Sequence, residues 1–144
     1  MKNKFNPQQL SFVATVLILL ATLGLFIFAS LQPRIDIEND YLRIRGLYGL
    51  TILFEDISNV EILPLSIREI GTGRRINGFN AGSGVLRGHF SSGLLFVNEN
   101  TQSTIKITRY SASTIYLNLD SEYETIQLYE QIKAIYFIFN SVEY

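Results

Sequence analysis

Polar and apolar positions divide this chain into two unequal parts. Residues 10–31 contain no charged side chain, whereas from residue 34 onward the chain breaks into short runs, many of them alternating polar and apolar. A charge-free run of that length predicts one helix of roughly 33 Å, enough to cross a hydrocarbon core of roughly 30 Å. Its Ser and Thr hydroxyls can bond back to their own helix, so none forbids insertion. Arg34-Ile35-Asp36-Ile37-Glu38 alternates as a half-buried strand does, and Asn39-Asp40 supplies a turn. Tyr41-Leu42-Arg43-Ile44-Arg45 alternates again, and further strands are predicted at 50–54 and 57–63. Regular strands resume at 93–97, 103–108 and 113–117. Asn98-Glu99-Asn100-Thr101 and Tyr110-Ser111-Ala112-Ser113 join them at hairpin-like lengths.

One helix closes the chain. Ser121-Glu122-Tyr123-Glu124 fits a capping box, and Tyr123, Ile126, Tyr129, Ile132, Tyr136 and Phe139 recur at helical spacing. Aromatic residues at that spacing are core. Ile135-Tyr136-Phe137-Ile138-Phe139 is apolar all round, which suits a plug in the sheet, a bilayer contact or a subunit contact. About seven short strands followed by an amphipathic helix predict a mostly-β domain, a small antiparallel sandwich or half-open barrel capped by the helix.

Residues 64–93 stand apart. They hold Gly71, Gly73, Gly78, Gly82, Gly84, Gly88 and Gly93, a density that means special backbone angles, close chain approach or a mobile loop. The candidate ligand-binding residues lie here: Arg74, Arg75, Asn77, Gly78, Arg87 and His89. Three guanidinium groups offer paired donors to a phosphate or carboxylate, glycine amides add a nest, and His89 adds sensitivity to pH. The competing reading is a glycine-rich crossing loop whose arginines are solvated or tie down carbonyls.

Composition narrows the chemistry. There is no Cys and a single His, which excludes disulfides, thiolate catalysis and Cys-type zinc sites. Gly71-Thr72-Gly73 lacks the remainder of a dinucleotide fingerprint, and Ala81-Gly82-Ser83-Gly84-Val85 misses the nucleophile elbow. No catalytic residue, metal site or cofactor is expected, and the chain is not expected to be an enzyme. A formal net charge of −1 gives no reason to expect nucleic acid as a partner. Charge is nonetheless uneven. Arg68, Arg74, Arg75 and Arg87 make the middle basic, while Asp120, Glu122, Glu124, Glu130 and Glu143 make the end acidic. Two solvated faces, or a contact between copies, would both use that arrangement.

Several short motifs together resemble the small membrane-associated bacterial pleckstrin-homology (PH) domain proteins. They are Ile44-Arg45-Gly46-Leu47-Tyr48-Gly49, then Asp56-Ile57, then Arg74-Arg75-Ile76-Asn77-Gly78-Phe79 and Leu86-Arg87-Gly88-His89-Phe90. The resemblance spans roughly residues 35–136. It implies a PH-like roll behind N-terminal membrane helix, in a family whose biochemical role is largely undefined. Arg43-Ile44-Arg45 is all that stands where eukaryotic PH lipid sites gather a basic cluster, so phosphoinositide binding is not carried over.

The expected organisation is a short basic tail at 1–9, a transmembrane helix at 10–32, a PH-like domain at 34–139 and a tail at 140–144. A cleavable signal peptide is the competitor, with Lys2 and Lys4 as its basic start. Its best cleavage site, after Ala29, would put Ile27 where a small residue belongs. The expected location is the cell membrane, single-pass, and the basic start slightly favours an inside N-terminus with the domain outside. The expected function is protein contact or self-assembly at the membrane, with a homo-oligomer or other protein as partner. Sensing of an anionic lipid or phosphate ligand through residues 71–90 is the alternative.

Overall fold

A computed structural model describes residues 6–142. Lys2 and Lys4, the basic start invoked for orientation, lie outside the described residues. Helix α1 (Pro7–Ser30) opens on Asn6, whose side chain accepts from the Gln8 amide, and Pro7 stands in its first turn, where its missing N–H costs nothing. The helix is long and apolar enough to cross a membrane, and of its side chains only Ala29 is buried.

Among the described residues nine strands form two sheets. The smaller is an antiparallel meander of β1 (Arg34–Ile37), β2 (Tyr41–Arg45) and β3 (Leu50–Leu53). Alternation works as expected: Leu42, Ile44 and Ile52 point into the core. On the outer side Arg45 pairs with Asp36, and Arg43 lies over the Tyr41 ring. The larger sheet contains β4 (Ile57–Leu63), β5 (Arg75–Asn80), β6 (Val85–Phe90), β7 (Gly93–Asn98), β8 (Thr104–Arg109) and β9 (Ile115–Leu117), in the order β4-β8-β9-β7-β6-β5. One face gives Leu94, Phe96, Ile105, Ile107, Ile115 and Leu117 to the main core. The other gives Leu86, Phe90, Leu95, Val97 and Tyr116 to a second cluster, sealed by Ile67 of the single-turn helix α2 (Ile67–Ile70). That turn carries its own cap, since the Glu69 carboxylate accepts from both the Ser66 amide and the Ser66 hydroxyl.

Two features depart from the sequence reading. First, the glycine-rich segment is not a loop: β5 and β6 pair in it as an antiparallel hairpin, with a bulge between Arg75 and Asn77. Gly78 faces Gly88 across the pair, and a Cβ on Gly88 would lie 2.6 Å from the Asn77 carbonyl oxygen, so no other residue fits there. Second, residues 99–103 do not close a hairpin. β9 runs parallel to β7 and sits between it and β8, so the sheet is mixed and this connection crosses over the end of β9. Buried Asn118 staples the crossing. Its Oδ1 accepts from the Asn98 amide, and its Nδ2 donates to the carbonyls of Asn98 and Ser103. A crossing chain leaves polar backbone groups without ladder partners, and this one side chain satisfies three of them.

Helix α3 (Glu122–Val142) packs on β4 and β8. Ser121 Oγ accepts from the Glu124 amide, the first half of the expected box. The buried stripe is Thr125, Leu128, Tyr129 and Ile132, continued by Ile135, Tyr136 and Phe139 against the core. Tyr123 and Ile126, placed on the stripe by spacing, are exposed instead. A helix can bury only one arc, and the Thr125 hydroxyl claims it by bonding the Ser121 carbonyl while accepting from the Leu119 amide.

Candidate functional site: the β5–β6 hairpin and the end of the apolar helix

The six residues singled out in the sequence share the β5–β6 hairpin and the irregular segment leading into it, but they do not converge on one site. Arg87, Asn77, His89 and Phe79 lie on the face of the sheet that carries Phe96, as their pairing register requires. Asn77 and His89 are exposed and come together under the tip of the β2–β3 turn. There Tyr48, held at φ +62°, donates its hydroxyl to Asn77 Oδ1 at 3.2 Å and sets its ring edge-on to His89, centroids 6.3 Å apart. A side chain at positive φ is an uncommon conformation that its surroundings must hold in place. Gly88 lets the tyrosine approach, because Tyr48 lies 3.0 Å from where a Gly88 Cβ would be.

Arg74 and Arg75 are exposed, and neither takes part in an ion pair among the described residues. The backbone of Arg74 is fixed all the same: its amide donates to Ser91 Oγ, and its carbonyl accepts from the Ser91 amide, both at 2.8 Å. Arg75 opens β5, which is an edge strand of the larger sheet.

Arg87 does something different. It is only 3% exposed. Its Nη1 donates to the carbonyls of Leu86 and Val97 at 2.8 and 2.7 Å, and its Nη2 donates to the carbonyl of Leu31 at 3.2 Å. Leu31 is the C-cap of α1, so a side chain from β6 supplies a cation to the end of the helix where carbonyls point out unpaired. Burial pushes the guanidinium down to about 10, and the field of Asp120 opposes that shift. The Asp120 amide in turn donates to Gln32 Oε1 at 3.0 Å, so both residues that follow α1 are tied to the domain. Of the two sequence readings for Arg87, the carbonyl-binding one describes its contacts.

The same junction contains residues that motif reading passed over. Phe26 of α1 packs edge-on against Phe79 of β5, ring centroids 5.7 Å apart. An apolar cleft of about 390 Å³ opens there between α1 and the domain, walled by Thr22, Phe26 and Ala29 on one side and by Leu47 and Phe79 on the other. Leu31 is held on β6, while Phe26, five positions nearer the N-terminus, rests on β5. The helix therefore crosses the sheet toward its β5 edge and leaves past it. Alternation in Val85-Leu86-Arg87-Gly88-His89-Phe90 groups Arg87 with Val85 and His89, opposite Leu86 and Phe90, so no local signal marked this junction.

Among the described residues no group of three or more His, Asp or Glu side chains is arranged to hold a metal ion. Comparison with known proteins returned no matching family model, curated protein or solved structure.

Proposed function

We propose that this chain is a single-pass membrane protein whose β-domain, PH-like in kind, is a non-catalytic interaction domain held against the bilayer. The observation that carries the reading is the clamp at the end of α1. Arg87 bonds Leu31, Asp120 bonds Gln32, and Phe26 packs on Phe79. A cleavable leader would take Phe26 and Ala29 away and leave Phe79 bare, so these contacts favour an uncleaved anchor. A clamped linker also sets the orientation of the domain to the membrane, which a flexible one would leave free.

The contact surface in this proposal is the far end of α3. Phe137 and Ile138 are 62% and 59% exposed, while their neighbours Ile135, Tyr136 and Phe139 are seated on the core. An apolar pair presented on a fixed helix suits a protein partner. A second copy is the partner that the chain's own charges favour, because Arg74 and Arg75 are exposed on one element and Glu122, Glu124 and Glu130 on another. Confinement to a membrane raises the effective concentration of such copies. The test is light scattering of the full chain in mild detergent. Wild type is expected to exceed the monomer mass, and the double variant Phe137→Glu/Ile138→Glu to return to it. A wild-type monomer at every protein-to-detergent ratio would remove self-association.

A second reading rests on one specific observation: Arg74 and Arg75 are exposed beside the sheet edge past which α1 leaves. At that place guanidinium groups meet lipid phosphates. Anionic lipid should then copurify with wild type and be lost from Arg74→Ala/Arg75→Ala; equal lipid content in both would reject this reading. Alkaline phosphatase and fluorescent-protein fusions to the C-terminus assign the side. The proposed arrangement, with the N-terminus inside, gives phosphatase activity without fluorescence.

A further inference from the structure

We infer that the apolar cleft between α1 and the domain seats an acyl chain of a bilayer lipid, with Phe79 and Leu47 immersed in the outermost hydrocarbon. The inference rests on the reading of α1 as a spanning helix and adds a ligand site to it. Depth along the helix carries the argument. Gln8 and Gln9 are polar, so the hydrocarbon segment starts at Leu10. About 20 residues at about 1.5 Å each span the roughly 30 Å core, which therefore ends near Ala29. Phe26 then lies about 5 Å, and Thr22 about 10 Å, inside the boundary.

Phe79 touches Phe26, and Phe79 and Leu47 line the same cleft as Thr22 and Ala29. The domain therefore does not stand clear of the membrane. Its β5 strand and the tip of its β2–β3 turn reach below the level of the lipid carbonyls. At that depth acyl chains are the surrounding medium, and the walls of the cleft are almost wholly apolar. Water filling it would leave the Phe79 and Phe26 rings wetted inside hydrocarbon, the least favourable arrangement for either solvent. Ile76, 70% exposed on the same edge strand, is the further apolar side chain that this placement accounts for. Phe79 and Leu47 thus form a foot, and one lipid chain lies in the cleft between that foot and the anchor.

The chain has no Trp, so single replacements serve as reporters. The full chain is reconstituted in phosphatidylcholine vesicles carrying bromine either near the carbonyl end of the acyl chain or near its terminus. Phe79→Trp, with Leu47→Trp as its independent second, is expected to lose about half its emission to the bromine near the carbonyl end and less to the deep one. Tyr110→Trp, at the opposite edge of the sheet beside β4, is expected to keep its emission. Leu17→Trp in mid-helix reports the span itself through quenching by the deep bromine. If Leu17→Trp is quenched and neither Phe79→Trp nor Leu47→Trp is, the span stands and the acyl site is overturned. An unquenched but blue-shifted Phe79→Trp has the same consequence, since a protein surface then covers the cleft. If Leu17→Trp is unquenched as well, the spanning helix and the acyl site fall together.

Discussion

The two ends of the six-stranded sheet solve the same problem by different means. At the β4–β8–β9 end the chain covers its own apolar face: α3 lays Leu128, Tyr129 and Ile132 over Ile105, Ile107 and Ile115, and Asn118 satisfies the crossing backbone. At the β5–β6 end the cover is the last turns of α1, and what holds it is a buried cation bound to carbonyls. The first end is a finished core. The second is finished only while the apolar helix stays in place, and it exposes Asn77, His89 and Arg75 beside the cover. Apolar burial is non-directional and tolerates small shifts, whereas a guanidinium fork fixes position and angle. An end that must register a domain against a long apolar helix gains from the second kind of contact.

The sharpest way to break this comparison is to weaken each end separately and follow unfolding of the β-domain in the full chain by circular dichroism in mild detergent. Ile132→Ala removes a side chain with no exposure from the sealed end and is expected to cost about 4 kcal/mol. Arg87→Met leaves the Leu31, Leu86 and Val97 carbonyls without that donor and is expected to cost about 3 kcal/mol. Amide exchange tells the two apart, rising around residues 31–33 in Arg87→Met while α3 keeps its protection. Equal loosening of α3 in both variants would erase the distinction between the ends. Asn118→Ala is expected to cost about 2 kcal/mol, with faster exchange at Asn98 and little change in the β5–β6 hairpin.

Arg74→Ala/Arg75→Ala is expected to stay within about 0.5 kcal/mol of wild type, since both side chains are exposed without ion pairs among the described residues. A larger loss would mean that these arginines hold the fold, as Arg87 does. The smallest effect is one of pH. Hydrogen bonds from the Ser66 amide and hydroxyl hold the Glu69 carboxyl below its ordinary value of 4.5. Unfolding releases those bonds, so the unfolded chain takes up a proton first as pH falls. The contribution of Glu69 is therefore full above 4.5 and disappears as pH drops through its lowered folded value. Glu69→Gln should flatten that part of the acid dependence, and an unchanged acid profile would remove the cap from the account.

Patterning made both long helices, the meander of the small sheet and the strands β4, β7, β8 and β9 legible: α1 as a charge-free run, α3 and the meander by their period, and β7 and β9 as short apolar runs between turns. The β5–β6 hairpin was hidden by the very residues that permit it. Gly78 and Gly88 remove two side chains from the alternation so that the strands and Tyr48 can approach. The position of β9 was illegible for another reason: a five-residue connection suits a hairpin as well as a crossing, and contacts formed at long range, the Asn118 staple among them, select between the two. Arg87 belongs to the same class. Nothing near it in sequence announces Leu31, 56 positions away. Local pattern yields elements, and contacts between distant segments decide what a candidate residue is for.

The clamp itself is tested most directly by proximity across the junction. The chain has no Cys, so Phe26→Cys/Phe79→Cys carries the only two thiols. The full chain in membranes is treated with a short bis-maleimide and then with trypsin, which cuts between the two positions. Docking of α1 on β5 predicts that the two peptides stay joined in single-chain product, and that the same pair joined from Leu17→Cys/Phe79→Cys does not. Thiols in Phe26→Cys/Phe79→Cys capped singly, with the peptides separating after digestion, would show α1 free of the sheet and contradict the account.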